Sequence, residues 1–232
     1  MPDNYTNIFP KDRKVIAVFS HRAAGDLKNN RPNQTNFFSQ FGIDWDQVVF
    51  MNQVHGANVE YADGSRRLID NTDGIFTDKK NVYLAVNTAD CLPIFIINDN
   101  PAFVGVIHCG WRSLVNGIIA QFFRQVAERL PLKFERIRAT VGPGIQSCHF
   151  EIKNDVLDAF QKYQSDISER SGKMFVDLPA IARRCLTEAG LKGYNIKLSE
   201  ACTYCQNEKY YSFRREREQL NGEMIGFIGL YE

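Results

Sequence analysis

Three short runs of this chain carry the residue types that bind metals and activate nucleophiles: Asn52-Gln53-Val54-His55-Gly56, Thr88-Ala89-Asp90-Cys91-Leu92-Pro93 and His108-Cys109-Gly110-Trp111-Arg112. The sequence has only four histidines and six cysteines, so two histidines and a cysteine in such polar, turn-forming settings are a concentrated signal. Imidazole nitrogen and thiolate sulfur are preferred zinc ligands, and three protein ligands leave a fourth position open for water or substrate. An open zinc site at His55, Cys91 and His108, and therefore an enzyme, is the expectation. Each residue alone has a plainer reading, as a turn histidine bonded to a carbonyl or a buried cysteine acting as a small apolar side chain.

Other groups are placed around this set. Arg112 falls in the first turn of a predicted helix, where free backbone N–H groups and the helix dipole favour an anion, so a phosphate or carboxylate contact is expected there; a surface ion pair is the alternative. Cys202-Thr203-Tyr204-Cys205 has the spacing of half a structural zinc site, yet no second Cys or His pair follows it. Cys148 and His149, after Gly142-Pro143-Gly144, are expected in a supporting role near the main site. Cys109 points away from that site if its strand continues, and Cys185 lies in a predicted helix as a core residue. The run Tyr210-Tyr211-Ser212-Phe213-Arg214-Arg215-Glu216-Arg217 mixes stacking faces with guanidinium groups and could hold a nucleobase or phosphate. For Arg215 and Arg217 a solvated segment after a strand edge is favoured.

The elements that must position these residues are read from periodicity. Apolar runs of strand length occur at 15–19, 48–51, 82–86, 94–97, 103–107, 137–141 and 224–230. Several are continuous rather than alternating, which predicts strands buried on both faces. His55, Cys91 and His108 all fall at the ends of such runs. Val115, Ile118, Ile119, Phe122 and Val126 predict a helix over 111–130, stopped by Pro131. Further helices are expected over 154–163 and 179–189, the latter with Pro179 in its first turn and Gly190 as its stop. The stretch 29–36 reads as a polar loop. An α+β or sandwich-like architecture of mixed sheets, in one domain over 1–232, fits better than a doubly wound parallel sheet.

Composition removes several classes. The chain has 232 residues, 44% hydrophobic and 24% charged, as in an ordinary globular protein. Its formal net charge of +1, from 28 basic and 27 acidic residues, offers no footprint for nucleic acid or an anionic membrane. Met1-Pro2-Asp3-Asn4-Tyr5 lacks the features of a secretory signal, and no apolar run has spanning length, so a cytoplasmic location is the default expectation. Six cysteines are too sparse for a disulfide scaffold.

Taken together, the three runs, with Gly142-Pro143-Gly144-Ile145, Cys202-Thr203 and Tyr211-Ser212-Phe213-Arg214-Arg215, resemble the YfiH family, whose members have been called multicopper polyphenol oxidoreductases, laccase-domain proteins and purine nucleoside phosphorylases. The resemblance runs from about Ser20 to the C-terminus. It implies a YfiH-like α+β fold of mixed sheets flanked by helices, with zinc held by His55, Cys91 and His108. It also implies phosphorolysis of adenosine, inosine, guanosine and methylthioadenosine, deamination of adenosine, and an editing role on a cell-wall precursor. The chain departs from the usual pattern at Cys109 and Ser113, at His149-Phe150 where Tyr precedes Glu, and at Glu223 in place of Arg, and it lacks a Leu-Asn-Leu-Gly segment after Ser20-His21-Arg22.

Several functions follow as expectations. A four-copper laccase needs more imidazoles than four histidines supply, although copper could enter the zinc site. In deamination, zinc would activate water for attack on the purine carbon bearing the amino group. In phosphorolysis, phosphate would attack the anomeric carbon, held by Arg112 and Arg214, with Asp90 or His149 in proton transfer. The alternatives are a cysteine amide hydrolase, with Cys91 activated by His108 and acting on a peptidoglycan precursor, a polyphenol oxidase (laccase) activity with copper in the same site, and a non-enzymatic nucleotide-sensing or scaffolding module.

Overall fold

The computed structural model describes residues 4–28 and 30–231. Asn29 of the expected loop, and Met1-Pro2-Asp3 of the N-terminal reading, lie outside the described residues. In chain order the elements begin β1 (Tyr5–Asn7), β2 (Val15–Ser20), α1 (Arg31–Ser39), β3 (Val48–Met51), β4 (Val59–Tyr61), β5 (Leu68–Ile69), β6 (Gly74–Thr77) and β7 (Tyr83–Thr88). They continue through β8 (Leu92–Asp99), β9 (Ala102–Cys109), α2 (Trp111–Val115), α3 (Ile118–Ala127), β10 (Arg138–Val141), β11 (Glu151–Ile152) and α4 (Asn154–Leu157). The last are β12 (Ile167–Arg170), β13 (Lys173–Val176), α5 (Leu178–Glu188), β14 (Ile196–Leu198), α6 (Phe213–Glu216) and β15 (Met224–Leu230).

Two six-stranded sheets, ordered β1-β2-β15-β7-β3-β5 and β14-β10-β8-β9-β6-β4, pack face to face, and a small sheet β11-β13-β12 stands beside them. The continuous apolar runs have a direct cause. On β8, Phe95 and Ile97 point into the core between the sheets while Ile94 and Ile96 point outward under α3 and α5. On β2, Val15, Ala17 and Phe19 face the same central core, and Ile16 and Val18 face Phe37 and Phe38 of α1. Each central strand is therefore covered on both sides, and alternation of polarity is lost. The result is the expected architecture of mixed sheets flanked by helices.

Local expectations fail where backbone chemistry overrides periodicity. The helix expected over 111–130 is two, because Gly117 adopts a left-handed conformation (φ 80°) that ends α2 and turns the chain into α3. α3 still buries Ile118, Ile119, Phe122, Phe123 and Val126 against the second sheet, each worth about 1.5–3 kcal/mol. The helix expected over 154–163 is one α-turn, α4, followed by a kinked 3-10 segment (Asp158–Asp166). The segment read as a polar loop is largely α1: Asn30 caps it by accepting the Asn33 N–H at 3.1 Å, Pro32 sits in its first turn, and Phe37 and Phe38 anchor its end. α5 has the expected start and stop, with Asp177 as its cap and Gly190 at φ 113°. No helix among the described residues is long and apolar enough to cross a membrane.

Candidate functional site

His55, Cys91 and His108 come together, with ligand atoms all within 4.8 Å of one another. The reason is topological. The chain crosses from the first sheet to the second three times, between β3 and β4, between β5 and β6 and between β7 and β8, and His55 and Cys91 lie on the first and last of these crossings. His108 lies one residue from the end of β9, directly opposite Pro93 at the start of β8. Three residues distant in sequence thus meet at one rim of the sandwich. The His55 and His108 rings meet edge to face at 4.7 Å, and the Cys91 sulfur lies 3.9 Å from His55 Nε2.

One residue that the sequence reading passed over holds two of the three in place. Asp73, fully buried, accepts the backbone N–H groups of Val54 (3.2 Å), His55 (2.9 Å) and Gly56 (2.7 Å), and also accepts from His108 Nδ1 at 2.8 Å. The three amides form a concave nest around the carboxylate, which is how non-glycine His55 is kept at φ 59°. With Nδ1 bonded to Asp73, His108 offers Nε2 to the site, the usual support for a metal-binding histidine. Burial opposes the Asp73 charge, but the His108 bond and the nest hold its pKa below the ordinary value. A single acidic residue before β6 carries no spacing signal of its own, which is why it went unread.

The remaining supports are equally specific. Gln53 exchanges two hydrogen bonds of 2.8 Å with the backbone of Asn87, tying the loop of His55 to β7. Asp90, at φ 95°, accepts the Thr203 hydroxyl and the Arg214 backbone N–H, both at 2.6 Å, so it fixes the turn that presents Cys91. Its carboxylate is thereby engaged in structure. Gly110 is required by close approach: a Cβ there would stand 2.9 Å from Cys91 Sγ and 3.1 Å from His55 Cδ2.

Charge follows this geometry. Burial raises the Cys91 pKa, but the neighbouring His108 charge and bonds to both histidines draw it down to about 7. Burial lowers that of His108, but the Cys91 thiolate and Asp73 lift it to about 9. A thiolate, two imidazoles and a buttressing carboxylate form a donor set suited to zinc, open on one side. That side faces a cavity of about 690 Å³, within the usual range for small-molecule sites, lined also by Asn87, Trp111, Arg112, Phe213 and Arg214. Arg112 is exposed with its guanidinium 4.4 Å over the Trp111 ring, whereas Arg214 Nη1 donates to the carbonyls of His149 (3.3 Å) and Glu151 (2.8 Å).

Other expectations change. Cys148 and His149 are not beside His55 and His108; they join Cys202 and Cys205 in a second group of ligand atoms, again within 4.8 Å of one another. The partner of the Cys202–Cys205 pair precedes it in sequence rather than following it. Arg215 is not a solvated charge: it is half-buried and donates to the carbonyls of Thr203, Tyr204 and Tyr210 and to Glu216. Arg217 is exposed, as expected, but residues 213–216 before it are helix α6. Cys109 is buried in the apolar cluster under α3, and Cys185 is half-buried on α5.

A family described as multi-copper polyphenol oxidoreductase laccase matches residues 19–231. The chain belongs to this family. Over 191 residues, 76% of this chain and 72% of the relative, it is 32% identical to adenosine deaminase RL5 from an unknown prokaryotic organism. It is 31% identical to purine nucleoside phosphorylase YfiH of Shigella flexneri over 78% of this chain and 73% of that one. The crystal structure of YlmD from Geobacillus stearothermophilus superposes with a TM-score of 0.91 at 25% identity, covering 100% of this chain and 98% of that one. The fold of this YfiH-family chain is therefore the expected one.

Proposed function

We propose that this YfiH-family protein is a zinc-dependent nucleoside-processing enzyme: a purine nucleoside phosphorylase acting on adenosine, inosine, guanosine and methylthioadenosine, with adenosine deaminase activity. The observation that carries the reading is the His55–Cys91–His108 set, braced by Asp73 and opening into a cavity that also holds Arg112 and aromatic faces. Names given to relatives at about 30% identity support the same class of chemistry.

His55 Nε2, Cys91 Sγ and His108 Nε2 would hold the metal. When bound there, zinc supplies Lewis acidity and activates water. The protein's own groups do the rest. Asp73 fixes the His108 tautomer, and Asp90 fixes the turn of Cys91. Arg112 is the cation available to phosphate, since Arg214 Nη1 serves the carbonyls of His149 and Glu151. Trp111 and the exposed Phe213 present flat faces for a purine. A four-copper laccase does not fit this chain: His21 is bonded to Thr6, His149 stands with three cysteines, and two imidazoles remain at the site. Copper would have to occupy the same three ligands as zinc.

A second reading has its own observation. Asp73–His108–Cys91 is also the order of an orienting acid, a base and a nucleophile, as in a cysteine amide hydrolase acting on a cell-wall precursor. Zinc-loaded protein incubated with adenosine separates the two. The proposal expects adenine and ribose 1-phosphate with phosphate present, and inosine and ammonia without it. Protein that turns over no nucleoside, binds no metal in the absence of Cys91 modification, and loses amide hydrolysis on Cys91 alkylation would overturn it.

A further inference from the structure

We propose that Cys148, His149, Cys202 and Cys205 form a second metal site, a closed structural zinc centre separate from His55, Cys91 and His108. Cys148 Sγ lies 3.5 Å from Cys202 Sγ and 3.6 Å from Cys205 Sγ, and His149 Nδ1 lies 3.2 Å from both Cys148 Sγ and Cys205 Sγ. A Zn–S distance of about 2.3 Å places the sulfurs of a regular tetrahedron roughly 3.8 Å apart. The thiols already stand near that spacing, around a centre that one ion would fill. All three are free cysteines, with no disulfide among them.

The fold explains the convergence. β10 and β14 are parallel neighbours, Val141 opposite Leu198, so the loops leaving their C-terminal ends emerge side by side. A bridge between Gly144 and Cys202 keeps them in register. The first loop brings Cys148 and His149, and the second brings the Cys202–Cys205 turn. The Gln206 N–H donates to the Cys202 carbonyl at 3.0 Å and the Thr203 N–H to the Gly144 carbonyl at 3.1 Å, bonds that shape the Cys202–Cys205 turn and hold it against the first loop. His149 is held by stacking on Tyr204 at 3.9 Å and 15°. Arg215, donating to the carbonyls of Thr203 (2.7 Å) and Tyr204 (2.6 Å), holds the turn between Cys202 and Cys205 in shape. Three thiolates and one imidazole leave no position for substrate, which is the ligand count of a structural centre.

The site's place gives its role. Thr203, inside the Cys202–Cys205 turn, donates to Asp90, and Arg214 links Asp90 to the carbonyl of His149. The ion would clamp the two loops that brace the turn of Cys91, so it would stabilise the fold and the shape of the first site from a distance.

The test measures zinc by mass spectrometry in protein made in zinc-replete cells. Wild type is expected to hold about two equivalents, and the His55→Ala/Cys91→Ala and Cys202→Ser/Cys205→Ser variants about one each. Zinc retained by wild type but absent from His55→Ala/Cys91→Ala overturns the proposal; zinc retained by wild type but absent from Cys202→Ser/Cys205→Ser overturns the first site and supports the second. Should the serine variant fail to fold, Co²⁺ titrated into metal-stripped His55→Ala/Cys91→Ala protein decides. Intense visible bands of tetrahedral cobalt with thiolate charge transfer are expected. Their absence, or a Cys148 disulfide to Cys202 or Cys205 in metal-replete protein, overturns the proposal.

Discussion

The two Cys/His clusters occupy the same rim of the sandwich and are built on opposite plans. His55, Cys91 and His108 stand at strand exits, His108 and its carboxylate partner are buried, and the set faces a cavity. Cys148, His149, Cys202 and Cys205 stand on loops, with Cys148 and Cys205 exposed, and complete their own coordination. The first cluster relies on a buried carboxylate to aim its ligands; the second relies on backbone bonds that hold its two loops together and on a ring stack. Three ligands, one on a strand and two on crossings between the sheets, leave room for chemistry, while four ligands on loops close off a position and tie the loops down. Arg214 joins the two, with its backbone on Asp90 and its guanidinium on the carbonyl of His149.

The largest expected effect breaks the first cluster alone. His108→Ala removes a ligand, and nucleoside turnover is expected to fall on the order of 10³-fold while one zinc persists at the second cluster. Steady-state rates and metal content on the same sample check this. Asp73→Asn keeps the shape but weakens the nest and the His108 bond. Metal affinity at the first cluster should drop about 10–100-fold, read by competition with a chelating dye. Gly110→Ala places a methyl group against Cys91 and His55, crowding worth about 1–3 kcal/mol, or roughly five- to 150-fold in affinity. Its circular dichroism should stay native and the second cluster should keep its ion, so loss of both would count against independent sites.

The smallest effect is a control away from both clusters. Burial raises the Asp12 pKa, but Arg138, bonded at 2.7 Å, holds it below the ordinary carboxylate value. Such a pair contributes stability that is present above the unfolded pKa and lost as pH falls through the lower folded one. Asp12→Ala should therefore cost about 0.5 kcal/mol at neutral pH, and the difference should begin to shrink below about pH 4 and vanish only under the lower folded pKa. Urea unfolding at several pH values checks it, and zinc content should not move at either cluster.

How far each cluster could be read from sequence follows from how it is built. His55, Cys91 and His108 could be picked out because each sits in a local run whose turn residues mark a strand exit. The strands themselves were legible from apolar runs, and their continuity already implied cover on both faces. Asp73 was not legible, because its role comes from three amides eighteen or so residues away in the chain and a ring farther still. The second cluster was half legible: Cys202–Cys205 has the right spacing, but its complement is an adjacent pair fifty-odd residues earlier. Gly117 shows the same limit on a smaller scale, since the apolar period runs on through a backbone that does not.

The sequence by itself determined the ligand types, the strand-rich mixed class and the family resemblance, because these depend on residues close together in the chain. Only the tertiary structure decided which ligands share a centre. That depends on the crossings between sheets and on β10 lying parallel to β14, and neither leaves a local trace. The physical reason is that spacing along a chain fixes where a side chain points within its own turn, whereas strand order fixes which turns meet.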